Sequence, residues 1–379
     1  MSRVLIRKAS ADELERIVAE IFTLYEIDLK GKQVLIKPNI LGVFSPEHGN
    51  ATDPRVVSAV VREVHKQTDR IWVGDNPMRI QATSGVDEAA QVTGIYEASQ
   101  GYYVNMGARA RVISVGSEII DKVPISEYFL EADCIINLPK AKTHMIAGIT
   151  CCIKNMFGTV VGSNKARVHH DAGHAKRFSQ FLVDLYRFFT PQLNIVDALT
   201  IMEGDGPTHG QVREGGKIIA GTNGLEVDTV VAAMMGFQEK RIKTLQLAHE
   251  AGLGEWELDK IEITGDFEPW PDFELPSTYS AQPKVMIQKD QAAEIHEVWG
   301  EVGRLHPLLI EENCTQCGSC EEICPGKAIS MEPYPEVDES RCVSCFCCAE
   351  VCPEAAMIMS PDGAQELFLR LNPQLRETP

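Results

Sequence analysis

The chain has 379 residues, with 54 acidic against 36 basic side chains and a formal charge of −18. Its 44% hydrophobic and 24% charged content is that of a globular protein of about two domains. No apolar run approaches the roughly 18 residues that span a bilayer, and so acidic a chain is a poor sequence-independent binder of phosphate backbones, so neither membrane nor nucleic acid is an expected partner. Residues 1–8 soon give way to Asp12, Glu13 and Glu15, without the apolar core of a secretory leader. A cytoplasmic location is the expectation.

Through the first 289 residues, β-branched apolar runs alternate with amphipathic stretches. Strands are predicted at 33–37, 70–74, 111–114, 133–138, 193–196, 217–220 and 260–264. Helices are predicted at 54–67, 174–189, 225–235 and 239–251. Pro54 suits a first helical position behind Asp53 as cap, and Gly252 and Gly254 suit the stop of the last helix. Strands alternating with helices predict an α/β domain with a doubly wound, mostly parallel sheet. Residues 265–284, with Pro269, Pro271, Pro276 and Pro283, read as an extended connector packing through Trp270 and Phe273. A helical connector is expected at 290–304, a second domain at 305–361, and a tail at 362–379.

In open α/β sheets, ligands bind beyond the carboxyl ends of the strands. Here Val34-Leu35-Ile36 runs into Lys37-Pro38-Asn39, and Ile71-Trp72-Val73-Gly74 into Asp75-Asn76-Pro77. Cys134-Ile135-Ile136-Asn137 runs into Leu138-Pro139-Lys140-Ala141-Lys142-Thr143-His144, read as a turn, and Leu193-Asn194-Ile195-Val196 into Asp197. Residues 137–177 carry seven lysines and arginines, four histidines and a single acid, Asp171. They include Lys154-Asn155 and the stretch from Lys165 to His169 and His170. A glycine-rich loop holding Glu203, Asp205 and His209 follows the Asp197 strand. Lysine and histidine with asparagine donors suit a carboxylate or phosphate. The expected anionic-ligand site comprises Lys37, Asn39, Lys142, Lys154, Asn155, Asp197 and Asp205, with His144, His169 and Lys140 as candidate catalytic groups. A rival reading makes His144, His169, His170, Asp197 and Asp205 N/O ligands of a metal, although no tight spacing such as His-x3-His is present. Cys151 and Cys152, adjacent in sequence, read as buried small hydrophobes.

Nine of the twelve cysteines fall between 314 and 352. Eight repeat one pattern: Cys314-x2-Cys317-x2-Cys320-x3-Cys324-Pro325, then Cys342-x2-Cys345-x2-Cys348-x3-Cys352-Pro353. This is the bacterial ferredoxin run, in which each fourth cysteine serves the other cluster. Cys314, Cys317, Cys320 and Cys352 are therefore expected to hold one [4Fe–4S] cluster, and Cys342, Cys345, Cys348 and Cys324 the second. Disulfides and zinc are weaker readings, because no export signal is seen and zinc needs no doubled run. Cys347 is out of register and reads as a bystander. The module is also the acidic pole: residues 311–362 carry eleven acids against Lys327 and Arg341. Such a surface suits a redox partner protein bearing basic groups.

The stretches 34–39, 137–144, Lys154-Asn155-Met156-Phe157-Gly158, and Asp197-Ala198 with Gly204-Asp205-Gly206-Pro207 resemble the signatures of the domain of unknown function 362 family, over roughly residues 4–265. Members of that family often carry a C-terminal ferredoxin. The resemblance implies the α/β-plus-ferredoxin architecture and iron–sulfur clusters without implying a reaction. Cys151-Cys152 departs from the small or aliphatic residues expected before Lys154-Asn155.

Three functions are consistent with these features. The first is an iron–sulfur oxidoreductase in which low-potential electrons pass between two clusters and an anionic substrate or cofactor on the α/β domain. The second is a non-catalytic electron-transfer subunit of a larger redox complex. The third is a reductive maturation factor for a cofactor or metal centre.

Overall fold

The computed structural model describes residues 3–78, 85–172, 175–238, 241–276, 279, 306–343 and 345–359. The α/β domain contains strands β1 (Arg3–Lys8), β2 (Val34–Pro38), β3 (Ile71–Val73), β4 (Ala110–Ser114), β5 (Lys122–Ser126), β6 (Cys134–Leu138), β7 (Lys140–His144), β8 (Gly148–Thr150), β9 (Leu193–Glu203), β10 (Gln211–Gly221) and β11 (Glu262–Gly265). Its helices are α1 (Leu14–Leu24), α2 (Pro54–His65), α3 (Val86–Val92), α4 (Ile95–Ala98), α5 (Glu127–Glu131), α6 (Cys152–Asn155), α7 (Asn164–Ala172), α8 (Ala175–Phe188), α9 (Gly224–Met234) and α10 (Lys243–Glu250).

Nine strands form one sheet in the order β11-β1-β10-β9-β6-β2-β3, with β7 continuing from β9 and β8 pairing with β7. The pairings β1–β11, β2–β3, β2–β6, β6–β9 and β7–β9 are parallel. Those of β10 with β1 and β9, and of β7 with β8, are antiparallel. The sheet is thus mixed and mostly parallel.

Alternation along the strands sends side chains to two cores, as the period of two requires. Leu5, Val34, Ile36, Ile136 and Ile195 pack towards α1 and α2. Val4, Ile6, Leu35, Ile135 and Val196 pack towards α8 and α9. Helices therefore cover both faces, which explains why β2 and β6 are apolar along nearly their whole length. Asp53 caps α2, its Oδ1 accepting the Arg55 N–H at 2.8 Å, and Pro54 takes the first helical position.

Two sequence expectations are corrected. The 111–114 segment is not part of the main sheet: among the described residues β4 pairs with β5 alone, in a separate hairpin, and its residues are largely exposed. Residues 140–144 are a strand rather than a turn, fully buried and paired to β9. Buried lysines on a strand run against the usual hydrophobic pattern and are accommodated only because fixed acceptors meet them, as described below.

In the expected connector, Trp270 is buried and its indole N–H donates to the Gly215 carbonyl at 2.9 Å. The remainder of that connector at 277–278 and 280–284, the expected helix at 290–304 and the tail at 362–379 lie outside the described residues. The cysteine-rich module consists of two antiparallel pairs, β12 (Pro307–Leu309) with β15 (Met357–Met359), and β13 (Ile329–Met331) with β14 (Pro335–Val337). Two short helices, α11 (Ser319–Ile323) and α12 (Cys347–Val351), complete it.

Candidate functional site

The ends of β2, β3, β6 and β7 place their polar residues together. Lys37 is fully buried and forms an ion pair with Asp75 at 2.8 Å; it also donates to Asn155 Oδ1 at 3.1 Å and the Pro38 carbonyl at 2.9 Å. Asp75 accepts backbone N–H groups from Ile40 and Asn76, each at 2.8 Å. Asn155 donates to Asn137 Oδ1 at 2.8 Å, and Asn137 to Asn194 Oδ1 at 2.9 Å, tying α6 to two strands. Gly158 closes this corner: a Cβ there would lie 2.0 Å from Asp75 Oδ1. A glycine is required by that approach.

On β7, Lys140 pairs with Asp197 at 2.9 Å and donates to Thr200 Oγ1 at 2.8 Å. Lys142, also buried, donates to the Asn50 carbonyl at 2.6 Å. Lys165 on α7 donates to the Asn76 carbonyl at 2.5 Å. Burial pushes the Lys37, Lys142 and Lys154 ammoniums down and Lys165 to about 7. Lys154 is half-buried and makes no hydrogen bond or ion pair in the structure among the described residues. Asn39 stands beside this cluster, its N–H donating to Thr52 Oγ1 at 2.8 Å. Asp205 lies in the β9–β10 loop, while the ion pairs of the buried lysines run to Asp75 and Asp197.

His144 Nδ1 accepts backbone N–H groups from Ile146 and Ala147 at 3.1 and 3.3 Å, which places the proton of the neutral ring on Nε2. Burial, reinforced by Lys154, pushes its pKa to about 4. His169 stacks on Phe178 at 4.0 Å between centroids, and burial together with Lys154 likewise lowers it to about 4.

The cysteine-rich module docks on this cluster. Phe346 and Ala349 pack on Met145 and Ile146, and Cys347 and Ile323 on Ala166, with Met78 and Cys345 alongside. Thr208 Oγ1 donates to the Glu350 carbonyl at 2.9 Å, and His209 Nε2 meets the Cys352 carbonyl at 3.1 Å, satisfying main-chain acceptors at the end of α12. The Glu350 side chain enters the basic cluster, with Oε1 3.2 Å from His144 Nε2. The approach is close, but among the described residues neither of these buried atoms makes a well-aligned hydrogen bond. Although burial raises it, Glu350 is held down at about 2 by His144 and Lys154. His169 Nε2, Asn39 Oδ1, Asn50 Nδ2 and Asn76 Oδ1 are also buried and have no hydrogen-bond partner among the described residues.

The cysteines fall into two sets. Cys314, Cys317, Cys320 and Cys352 line one cavity with Met331, Pro335 and Met357. Cys348 lies within electrostatic reach of Cys345, Cys342 and Cys324, and its thiol is pushed up by burial and by these neighbours. Four sulfurs around each of two positions fit [4Fe–4S] cubes, whose binding would ionise the thiols. The first set reaches the surface, with Cys317 exposed; the second faces the α/β domain through Cys345. Elsewhere, Cys151, Cys152 and Asp228 form a buried group whose ligand atoms lie within 4.8 Å of one another. Asp228 there accepts the Cys152 and Ile153 N–H groups at 2.6 and 3.0 Å and thereby caps α6.

A mixed α/β domain bearing a docked two-cluster module defines an iron–sulfur electron-transfer protein. A family model described as "Domain of unknown function (DUF362)" matches residues 34–233, and one described as "4Fe-4S dicluster domain" matches residues 309–356. The chain belongs to the DUF362 family. It is 32% identical over 224 residues to a thylakoid-associated protein of Synechocystis sp., covering 59% of this chain and 69% of that one. Two solved structures are distantly similar: the lactate racemase apoprotein from Thermoanaerobacterium thermosaccharolyticum (13% identity, 54% of this chain and 51% of that one, TM-score 0.35) and a protein from Thermotoga maritima (11% identity, 64% and 60%, TM-score 0.35). The chain spans less than two thirds of either solved structure. No helix among the described residues is long and apolar enough to cross a membrane.

Glu350 is the site residue that sequence reasoning missed, because it counts there as one acid of a solvated module. Lys165 and Asp75 were legible as polar neighbours but not as members of the site. The opposite charges of residues 137–177 and 311–362 were the available signal.

The histidines carry a pH prediction. Unfolded His169 protonates near pH 6.5, whereas the folded ring resists protonation down to about 4, so its stabilising contribution is lost as pH falls through that window. Asp228, raised to about 6 by burial, acts oppositely over the acid part of the range, which makes comparison with a variant necessary. In urea unfolding, His169→Phe is expected to lose about 2 kcal/mol less than the parent between pH 8 and pH 5. Equal losses would show that the ring protonates freely in the folded chain.

Proposed function

We propose that the chain is an oxidoreductase in which two [4Fe–4S] clusters carry low-potential electrons between a redox partner protein and a small anionic ligand held between α12 and the α/β domain. One observation carries this reading: α12, which holds Cys348 and leads into Cys352, inserts Glu350 against His144 in the lysine cluster. The clusters, when bound, supply single electrons at low potential.

The chain's own residues would do the rest. Lys154 and Lys142 would attract and orient the anion, and Lys165 would balance its charge. His144, with its proton fixed on Nε2, would donate a hydrogen bond that orients the ligand as it is reduced, and His169 lies close by. Met145, Phe346 and Ala349 exclude water from one side. The exposed Cys317, near Glu354, gives a basic partner protein an approach to the outer cluster.

The test is anaerobic. Dithionite-reduced protein, freed of excess reductant, is mixed with candidate anions while the clusters' visible absorbance is followed. Reoxidation is expected with one of them, and Lys154→Met is expected to slow it at least about tenfold at unchanged iron content. If no anion reoxidises the clusters while a protein acceptor does so equally well in both forms, the chain is a non-catalytic electron-transfer subunit. The exposed Cys317 of the outer set favours that second reading.

A further inference from the structure

We infer that the lysine cluster covered by α12 binds a small dianion bearing its charge on oxygen atoms, such as a phosphate group or a dicarboxylate. This rests on the proposed site and names the class of its ligand. Of five lysines gathered there, Lys37 and Lys140 are neutralised by Asp75 and Asp197. Lys142 and Lys165 reach only main-chain carbonyls, and Lys154 has no partner among the described residues. Asp75 also faces Lys142 and Lys165, and Glu350 faces Lys142 and Lys154, so five lysines stand against three carboxylates, a surplus of two positive charges when all the lysines are protonated.

Buried ammoniums are unfavourable unless an anion meets them, so such a surplus marks an incomplete charge set. The unpartnered atoms agree. His144 Nε2, which meets only the close but poorly aligned Glu350 carboxylate, and Asn50 Nδ2 are buried donors without a well-formed hydrogen bond among the described residues, and His169 Nε2 is a third buried nitrogen without a partner there. Oxygen atoms of a dianion meet both needs, whereas a halide offers no directed lone pairs. Asn39 Oδ1 and Asn76 Oδ1 are buried acceptors lacking donors, which a hydroxyl of the ligand or a retained water would supply.

Glu350 then repels the ligand that the lysines attract, while holding the module in place. Neutralising it should strengthen dianion binding, an effect that a merely structural glutamate would not produce.

The test is calorimetry on the anaerobic holoprotein at pH 8 and constant ionic strength, with inorganic phosphate, succinate, acetate and nitrate as probes. Phosphate or succinate is expected to bind at least about tenfold more tightly than either monoanion, and which of them does so separates the two sources of charge. Lys154→Met should weaken that binding at least about tenfold, and Glu350→Gln should tighten it. Iron content and the cluster EPR signal confirm that each variant is loaded. Monoanions binding as tightly as dianions, no dianion binding in either the parent or E350Q, or weaker binding in E350Q would overturn the inference. A dianion that binds without altering cluster reoxidation would uphold it and overturn electron delivery. Reoxidation by a neutral or singly charged compound alone would do the reverse.

Discussion

Exchange of Asp75 for asparagine is expected to destabilise the folded chain by about 3–5 kcal/mol, because it leaves the Lys37 ammonium buried without its counter-charge. The pair is 0% and 2% exposed, so water cannot take over from the missing carboxylate. Asparagine preserves shape, yet its amide nitrogen cannot accept the N–H groups that Ile40 and Asn76 now direct at the two Asp75 oxygens. Gly158 leaves no space for relaxation, since even a Cβ there would strike Asp75 Oδ1 and Lys37 Nζ. Urea unfolding followed by two optical probes measures the loss. Lys37→Met together with Asp75→Asn should recover part of it, since the stranded charge is then gone. A loss in D75N below about 1 kcal/mol would mean that the pair is hydrated and behaves as a surface ion pair.

Replacing Cys324 by alanine is expected to remove the cluster of Cys342, Cys345 and Cys348, and to lower iron from about eight to about four atoms per chain. The informative experiment pairs substitutions. Cys317→Ala with Cys324→Ala should abolish both clusters, because Cys317 lines the outer cavity while Cys324 lies with the inner set. Cys324→Ala with Cys345→Ala should abolish only one. If each cysteine run instead held its own cluster, the first pair would spare about four iron atoms and the second would spare none. Iron analysis and EPR of anaerobically reconstituted protein decide between the two arrangements.

Much of the architecture was legible. Apolar runs at 34–36, 71–73, 134–136 and 193–196 became strands because two helical layers bury both their faces. The polar residues that follow those runs converge because parallel strands end on one edge. Strand β7 was hidden for the opposite reason. Lys140, Lys142 and His144 alternate like a solvated edge, yet Asp197, the Asn50 carbonyl and the Ile146 and Ala147 amides meet them inside. These partners lie up to 92 residues away in sequence, beyond any local pattern. The 111–114 run misled because β-branched residues suit a lone hairpin as well as a core strand. Glu350 was invisible because nothing local to Cys348 and Cys352 says which face of so short a helix meets another domain.

The way the module is held has a consequence for its response to salt. Between an exposed acidic surface and an exposed basic one, counter-ions at physiological strength would weaken attraction beyond about 8 Å. The groups that join α12 to the α/β domain are instead a buried carboxylate, two main-chain carbonyls and apolar side chains. Ionic strength should therefore govern how readily another protein reaches the outer cysteines near Cys317 while leaving the inner junction intact. On the proposed reading, electron entry and electron delivery would then differ in their sensitivity to the surrounding electrolyte.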